Sequence, residues 1–291
     1  MLPAAASAAE NDWTKVADAL GKPGMEMPGG VYRVGMPRTD LHVTLHGVVL
    51  KPTFALGSWL AFKPAGNQAM VMGDLVLTQD EIRPVMTRLA AGGIQITALH
   101  NHLLHTQPTI FYMHVLGQGD PVKLATVLHS GLAASKTPFG ATAASANHKP
   151  SRAGATTTPA TALDTAMIDH TLSAKGQMVG GVYQIGIPRA EAVHDGGMVV
   201  PASMGSAEAI NFQPTGAGRA AITGDFVLTA KEVNPVLLTL LEHGIEVTAL
   251  HNHMLGDTPR LFFMHFWADG DTAKLAQGLR AALDKVNLAK S

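Results

Sequence analysis

Apolar residues recur along this chain at two different periods, and the switching between them outlines its elements. Val233, Val236, Leu237, Leu240 and Leu241 share one helical face, at the spacing of a turn of about 3.6 residues. Ahead of them Thr229-x-x-Glu232 has the capping-box form, and His243 and Gly244 follow as a last turn and a stop. Pro235 sits badly in a helix capped at Thr229, so a second cap at Asn234 or a kinked first turn is expected. Ile245 to His253 then alternates as a strand. A loop with Gly256, Asp257 and Pro259 leads to a second strand, Arg260 to Ala268, and a helix from Thr272 to Leu283. Upstream, Leu163, Met167, Ile168 and Leu172 mark a helix within Leu163 to Ala174; strands ending at Pro188 and spanning Ala220 to Leu228 follow.

The same succession occurs earlier in the chain. Gly30 to Arg38 recurs as Gly181 to Arg189, and Gly73 to His102 aligns without a gap with Gly224 to His253, 17 of the 30 positions being identical. A repeat of that length is a duplicated domain rather than a solenoid unit. Each copy reads as helix, strands, capped helix, two strands and helix. The fold class is therefore α+β: two tandem homologous domains, each an antiparallel sheet with helices on one face, with a ferredoxin-like arrangement as the leading guess. The expected boundaries are 1–11 for the remnant of an export signal, 12–134 for the first repeat, 135–162 for a flexible linker rich in Ala, Thr, Ser, Gly and Pro, and 163–291 for the second repeat.

Composition narrows the chemistry. The 291 residues carry a formal net charge of −1 with few aromatics and no basic run, which argues against nucleic acid as a partner. No apolar run is long enough to form a transmembrane segment. There is no cysteine, so any metal must rest on His, carboxylate, Met or backbone oxygen. Ala4 to Ala9, small residues in an Ala-x-Ala arrangement before Glu10, resemble the end of a secretory signal, and a periplasmic or secreted location is expected.

The candidate chemistry lies in the histidines. His251-Asn252-His253 is followed twelve residues later by His265, and His100-Asn101-His102 is followed at the same interval by His114. On a strand, residues two apart share a face, so each pair projects together and the third imidazole comes from the neighbouring strand. Such a set suits a divalent transition metal, zinc first, with a position left for water or substrate. Asp257 and Arg260 are the candidate catalytic residues, Asp257 as an oxygen donor and Arg260 as a clamp for an anionic small-molecule substrate. His105 adds an imidazole near the first copy, and His42, His46 and His194 are weaker candidates in the divergent stretch. Asp74 and Asp225 read as turn residues at strand starts, Glu81 and Glu232 as capping residues, and Arg38 and Arg189 as structural hydrogen-bond donors.

Gly-Asp-Phe-Val-Leu-Thr at 224–229, Thr-Ala-Leu-His-Asn-His-Met-Leu at 248–255 and Pro-Arg-x-Phe-Phe-Met-His-Phe-Trp at 259–267 together make a long motif. On these residues the sequence resembles the DUF1259 family, also called the LppY/LpqO family. The resemblance covers both repeats, although copy one has Thr109 and Leu116 where copy two has Arg260 and Trp267. It implies an exported bacterial protein and no particular reaction. The expected function is a His-based metal site in the second and also the first repeat, with metal-dependent hydrolysis of an anionic small substrate. The competing expectation is a non-catalytic ligand-binding or metal-carrier protein with histidines lining a pocket between two paired repeats.

Overall fold

The computed structural model describes residues 13–139 and 162–290. The expected signal remnant and most of the expected linker lie outside the described residues. The linker's first residues pack on repeat one: Lys136 N–H donates to Glu81, and Phe139 lies against the helix-side core.

Repeat one runs α1 (Trp13–Leu20), β1 (Met25–Met27), β2 (Val31–Pro37), β3 (Thr44–Leu45), β4 (Val48–Val49), α2 (Pro52–Ala55), β5 (Gly57–Ala65), β6 (Gln68–Thr78), α3 (Gln79–Ala91), β7 (Gln95–His100), β8 (Ile110–Gly119) and α4 (Pro121–Leu132). Repeat two runs α5 (Thr165–Leu172), β9 (Gln177–Val179), β10 (Val182–Pro188), β11 (His194–Asp195), β12 (Met198–Val199), a 3₁₀ turn at Ala202–Met204 in place of α2, β13 (Ala207–Gly216), β14 (Arg219–Thr229), α6 (Ala230–Glu242), β15 (Glu246–His251), β16 (Leu261–Asp271) and α7 (Thr272–Leu283).

Each repeat builds one six-stranded antiparallel sheet, in the order β1-β2-β5-β6-β8-β7 and β9-β10-β13-β14-β16-β15. The inner part is a split β-α-β unit: β6 and β7 run parallel with β8 inserted between them. Beside β6, where a ferredoxin-like sheet places a strand from the end of the unit, stands β5, which precedes it in sequence. The adjacent hairpin strand thus takes the position that a closing strand would fill.

Alternation along the strands sorts the two faces. In repeat one Val71, Leu75 and Leu77 face Val85, Leu89, Leu124 and Leu128 of the helices. In repeat two Ile222, Phe226 and Leu228 face Val236, Leu240, Leu275 and Leu279. The opposite faces of the two sheets pack on each other. One cluster joins Ala61, Met70 and Met72 to Val193, Val200, Met204 and Phe263. A second joins Leu45, Leu50, Phe54 and Tyr112 to Val182, Ala221 and Trp267. The divergent segments after β2 and β10 are the arms that cross between repeats, and the layers run helices, sheet, sheet, helices.

Helix α6 begins at Thr229, with Glu232 closing the capping box. No second cap forms at Asn234; Pro235 is carried inside the helix, as Pro84 is in α3. Glu81 and Glu232 also receive the guanidinium groups of Arg38 and Arg189. Arg38 is 0% exposed and Nη1 donates to the carbonyl of Val76, as Arg189 does to Val227. These arginines tie the strand entry to the helix start, the structural role expected of them.

Candidate metal centre

Strand register places the site. β8 turns Ile110, Tyr112, His114 and Leu116 toward the other sheet, while Met113 and Val115 face the helices. His114 stands directly opposite Asp74 on β6, and His265 directly opposite Asp225 on β14. Both aspartates are therefore mid-strand, with at least four strand residues on either side, and not turn residues. Gly224 precedes Asp225 because a Cβ there would meet the carbonyl of Ala209 at 1.9 Å. The turn-like Gly-Asp pair reflects close backbone packing.

The His-x-His pairs arrive less simply. A bulge at Thr97 in β7, and at Thr248 in β15, breaks the period of two. Ile96 and Val247 keep their places on the helix side, and Ala98 and Ala249 fall opposite His114 and His265. The strands end at His100 and His251, so His102 and His253 enter from the loops and not, as expected, from the same strands. The bulged threonines join the repeats: Thr248 Oγ1 donates to the carbonyl of His102 at 2.5 Å, and Asn252 Nδ2 donates to that of Thr97 at 3.1 Å.

The result is one cluster, not one per repeat. Imidazoles pair across the repeat boundary, with ring centroids 3.4 Å apart for His100 and His251, 3.6 Å for His102 and His265, and 3.8 Å for His114 and His253. Tyr112 stacks on His102 at 3.5 Å and Phe263 on His253 at 3.6 Å. Donor atoms of His100, His102, His114 and His251 all lie within 4.8 Å of one another, as do those of His251, His253 and His265.

Hydrogen bonds orient the rings. His265 Nδ1 is 2.8 Å from the carbonyl of Gly224, and Nδ1 of His100 and His251 is 3.2 and 3.1 Å from the carbonyls of Asn101 and Asn252. A nitrogen facing a carbonyl must carry the proton, which leaves Nε2 with its lone pair, the tautomer a metal ligand needs. Burial lowers all six histidine pKa values, to about 4 for His100 and about 3 for His251. The imidazoles are therefore neutral at pH 7. Burial drives Asp74 and Asp225 far above the usual carboxylate range, and Asp74 pushes Asp225 further.

Several acceptors here have no donor. Asp74 Oδ1, Asp225 Oδ1 and Nε2 of His102, His251, His253 and His265 are buried without a hydrogen bond. The gaps between them are matched in the two repeats. His102 Nε2 is 3.7 Å from Asp74 Oδ2, and His253 Nε2 is 3.7 Å from Asp225 Oδ2. The third histidines differ in the nitrogen they present: His114 Nδ1 is 3.9 Å from Asp74 Oδ1 with its Nε2 2.9 Å from His100 Nε2, whereas His265 Nε2 is 3.9 Å from Asp225 Oδ1. The separations from the aspartates are too long for hydrogen bonds. They suit two ligands on one ion: bonds of about 2.0–2.2 Å at a tetrahedral angle put the ligand atoms roughly 3.4 Å apart.

Asp257 and Arg260 serve the loop. Arg260 Nη1 donates to Asp257 Oδ1 at 2.6 Å and to the carbonyls of Met254 and Leu255, and Asp257 Oδ2 accepts from Leu261 N–H. His46 and His105 face each other in exposed loops with rings 5.7 Å apart, and His194 pairs with Thr258 through its backbone. The aspartates were the site residues that local reading missed. Their signal was a shared interval: forty residues separate Asp74 from His114 and Asp225 from His265.

A family model matches residues 14–134 and again residues 166–285. The chain belongs to that family, Domain of Unknown Function (DUF1259). The two matched regions are the two DUF1259 repeats whose sheets enclose the cluster. No curated protein matches the sequence. Among solved structures, the trimeric bacterial microcompartment shell protein PduB is similar at 10% identity over 91% of this chain and 90% of that one, with a TM-score of 0.23. EtuB from Clostridium kluyveri is similar at 7% identity over 90% and 88%, with a TM-score of 0.21. At such scores neither likeness bears on function.

Proposed function

We propose that this DUF1259 protein binds a divalent transition metal in a centre built jointly by its two repeats. One observation carries the reading: buried acceptors from four histidines and two aspartates converge without a hydrogen-bond donor and with ion-sized gaps, while His100 and His114 meet Nε2 to Nε2 at 2.9 Å beside them. In a dry setting an unpaired carboxylate is costly, and a cation is the partner that satisfies carboxylate and imidazole lone pairs together. The carbonyl-held Nδ1 protons of His251 and His265 leave their Nε2 lone pairs ready for a ligand bond.

The test is metal retention. Chelator-stripped protein is loaded with Zn²⁺, Co²⁺ or Ni²⁺, gel-filtered and assayed for metal and thermal stability. A retained ion and a melting temperature raised by roughly 5–10 °C are expected, from about 2.7 kcal/mol of linkage at a hundredfold excess over Kd. His251→Ala, which removes a member of both donor groups, should lose most of the retention. Failure to retain any of the three ions would overturn the reading.

A hydrolytic use of the metal is a second reading, favoured by the partial exposure of the His100, His102 and His251 rings, which puts the cluster near solvent. Arg260 is anchored to the loop through Nη1, which donates to Asp257 and two carbonyls. Chelator-sensitive cleavage of a nitrophenyl ester, abolished by His251→Ala, would support this reading; turnover indifferent to chelator would remove it.

A further inference from the structure

We infer that the centre holds two metal ions, one for each repeat, rather than a single ion on the axis that relates them. The inference rests on the metal-binding reading above. Asp74 with His102 and His114 takes one ion, Asp225 with His253 and His265 takes the other, and His100 and His251 stand between the two.

Each repeat supplies a carboxylate and two imidazoles, a donor set suited to a borderline divalent ion. The gap between aspartate and second histidine is duplicated atom for atom, Nε2 to Oδ2 at 3.7 Å in each repeat, and the third histidine stands 3.9 Å from Oδ1 in both, through Nδ1 of His114 and Nε2 of His265. A single ion would be expected to draw the donors about one centre. Here each aspartate stands opposite its own repeat's third histidine on the neighbouring strand and within 4 Å of its own repeat's second histidine.

His100 and His251 stack across the boundary at 3.4 Å, and His251 has donor atoms within 4.8 Å of those of His102 and His114 on one side and of those of His253 and His265 on the other. An ion placed between those two rings alone would leave Asp74 and Asp225 buried, repelling each other and still without a donor. One ion beside each aspartate removes both deficits. Two divalent ions exceed the charge of two carboxylates, and the excess is left to anions from solution.

Stoichiometry decides. Stripped full-length protein is titrated with Co²⁺, followed by its visible absorption, and the retained metal is counted after gel filtration. The expected result is two ions per chain in the wild type, one in Asp74→Asn and one in Asp225→Asn, with each variant keeping the wild-type far-ultraviolet dichroism. Electron paramagnetic resonance of the fully loaded wild type should show coupled ions, and of either variant an isolated one. Saturation of the wild type at one ion would overturn the inference and leave the metal-binding reading standing; a wild type that retains none would overturn both. Because the wild-type count is itself decisive, a variant that fails to fold does not protect the idea.

Discussion

Asp225 faces His265 across a strand pair with no donor on its Oδ1, and Asp74 repeats the arrangement in the other sheet. A carboxylate whose pKa is raised in the folded state favours folding below its unfolded pKa, and that contribution is lost as the pH rises through the folded value. At pH 7.5 the metal-free protein should therefore gain from Asp225→Asn, by roughly 1–3 kcal/mol, the scale of an unsatisfied buried group. In metal-loaded protein the same change should lower stability, so thermal melting with and without chelator should give opposite signs. The histidines titrate the other way. Their pKa values are lowered by folding, so their contribution is complete above the unfolded value of about 6.5 and declines as the pH falls toward about 4 for His100 and about 3 for His251. Urea denaturation of stripped Asp74→Asn/Asp225→Asn protein, which removes the opposing aspartates, should show stability falling steadily from pH 7.5 to 5. A flat profile would mean that these imidazoles are solvated.

Helices α3 and α6 show how far local signals reach and where they stop. The capping boxes at Thr78 and Thr229 are local events, closed within four residues, and could be read directly. The other duty of Glu81 and Glu232 could not. Their partners Arg38 and Arg189 lie 43 residues away, and only the folded sheet brings the guanidinium onto the helix start. Removing one member leaves a buried charge alone, so Arg189→Met should cost about 3–5 kcal/mol in urea denaturation. Lysine should not rescue it, because a point charge cannot serve the carbonyl of Val227 and the carboxylate of Glu232 together. The bulges at Thr97 and Thr248 were equally invisible, since an alternating stretch with one extra residue still alternates on either side of it. Thr248→Val should cost about 1 kcal/mol for the lost bond to His102 and weaken metal retention more than that figure alone would predict.

Two sheets packed face to face make the repeats interdependent. Met70, Met72 and Leu116 of one lie against Val193, Val200 and Met204 of the other, while Phe54 reaches Trp267 with rings 6.0 Å apart. A single repeat would expose that apolar face along with half of an uncompensated cluster. Residues 13–139 or 162–290 expressed alone should aggregate or bind 8-anilinonaphthalene sulfonate strongly, and should retain little metal. The two halves refolded together should recover both a monodisperse complex and its metal. A well-behaved single repeat that holds an ion would refute the shared centre.

The duplication, the α+β class, the capped helices and the six histidines are local or repetitive properties, and the order of residues was enough to state them. Alternation showed which strand faces were apolar, because side-chain direction along a strand follows from parity alone. What covered the second face was decided only in three dimensions. Neither copy of the motif encodes the approach of the other, so His100 meeting His251, and His102 meeting His265, follows from how two whole sheets pack. Asp225 shows the same division: its neighbours in sequence make it look like a turn, and its neighbour across the sheet, His265, makes it part of the histidine cluster. Pairing between strands some forty residues apart is a property of register, and register is set by the packing of the whole fold.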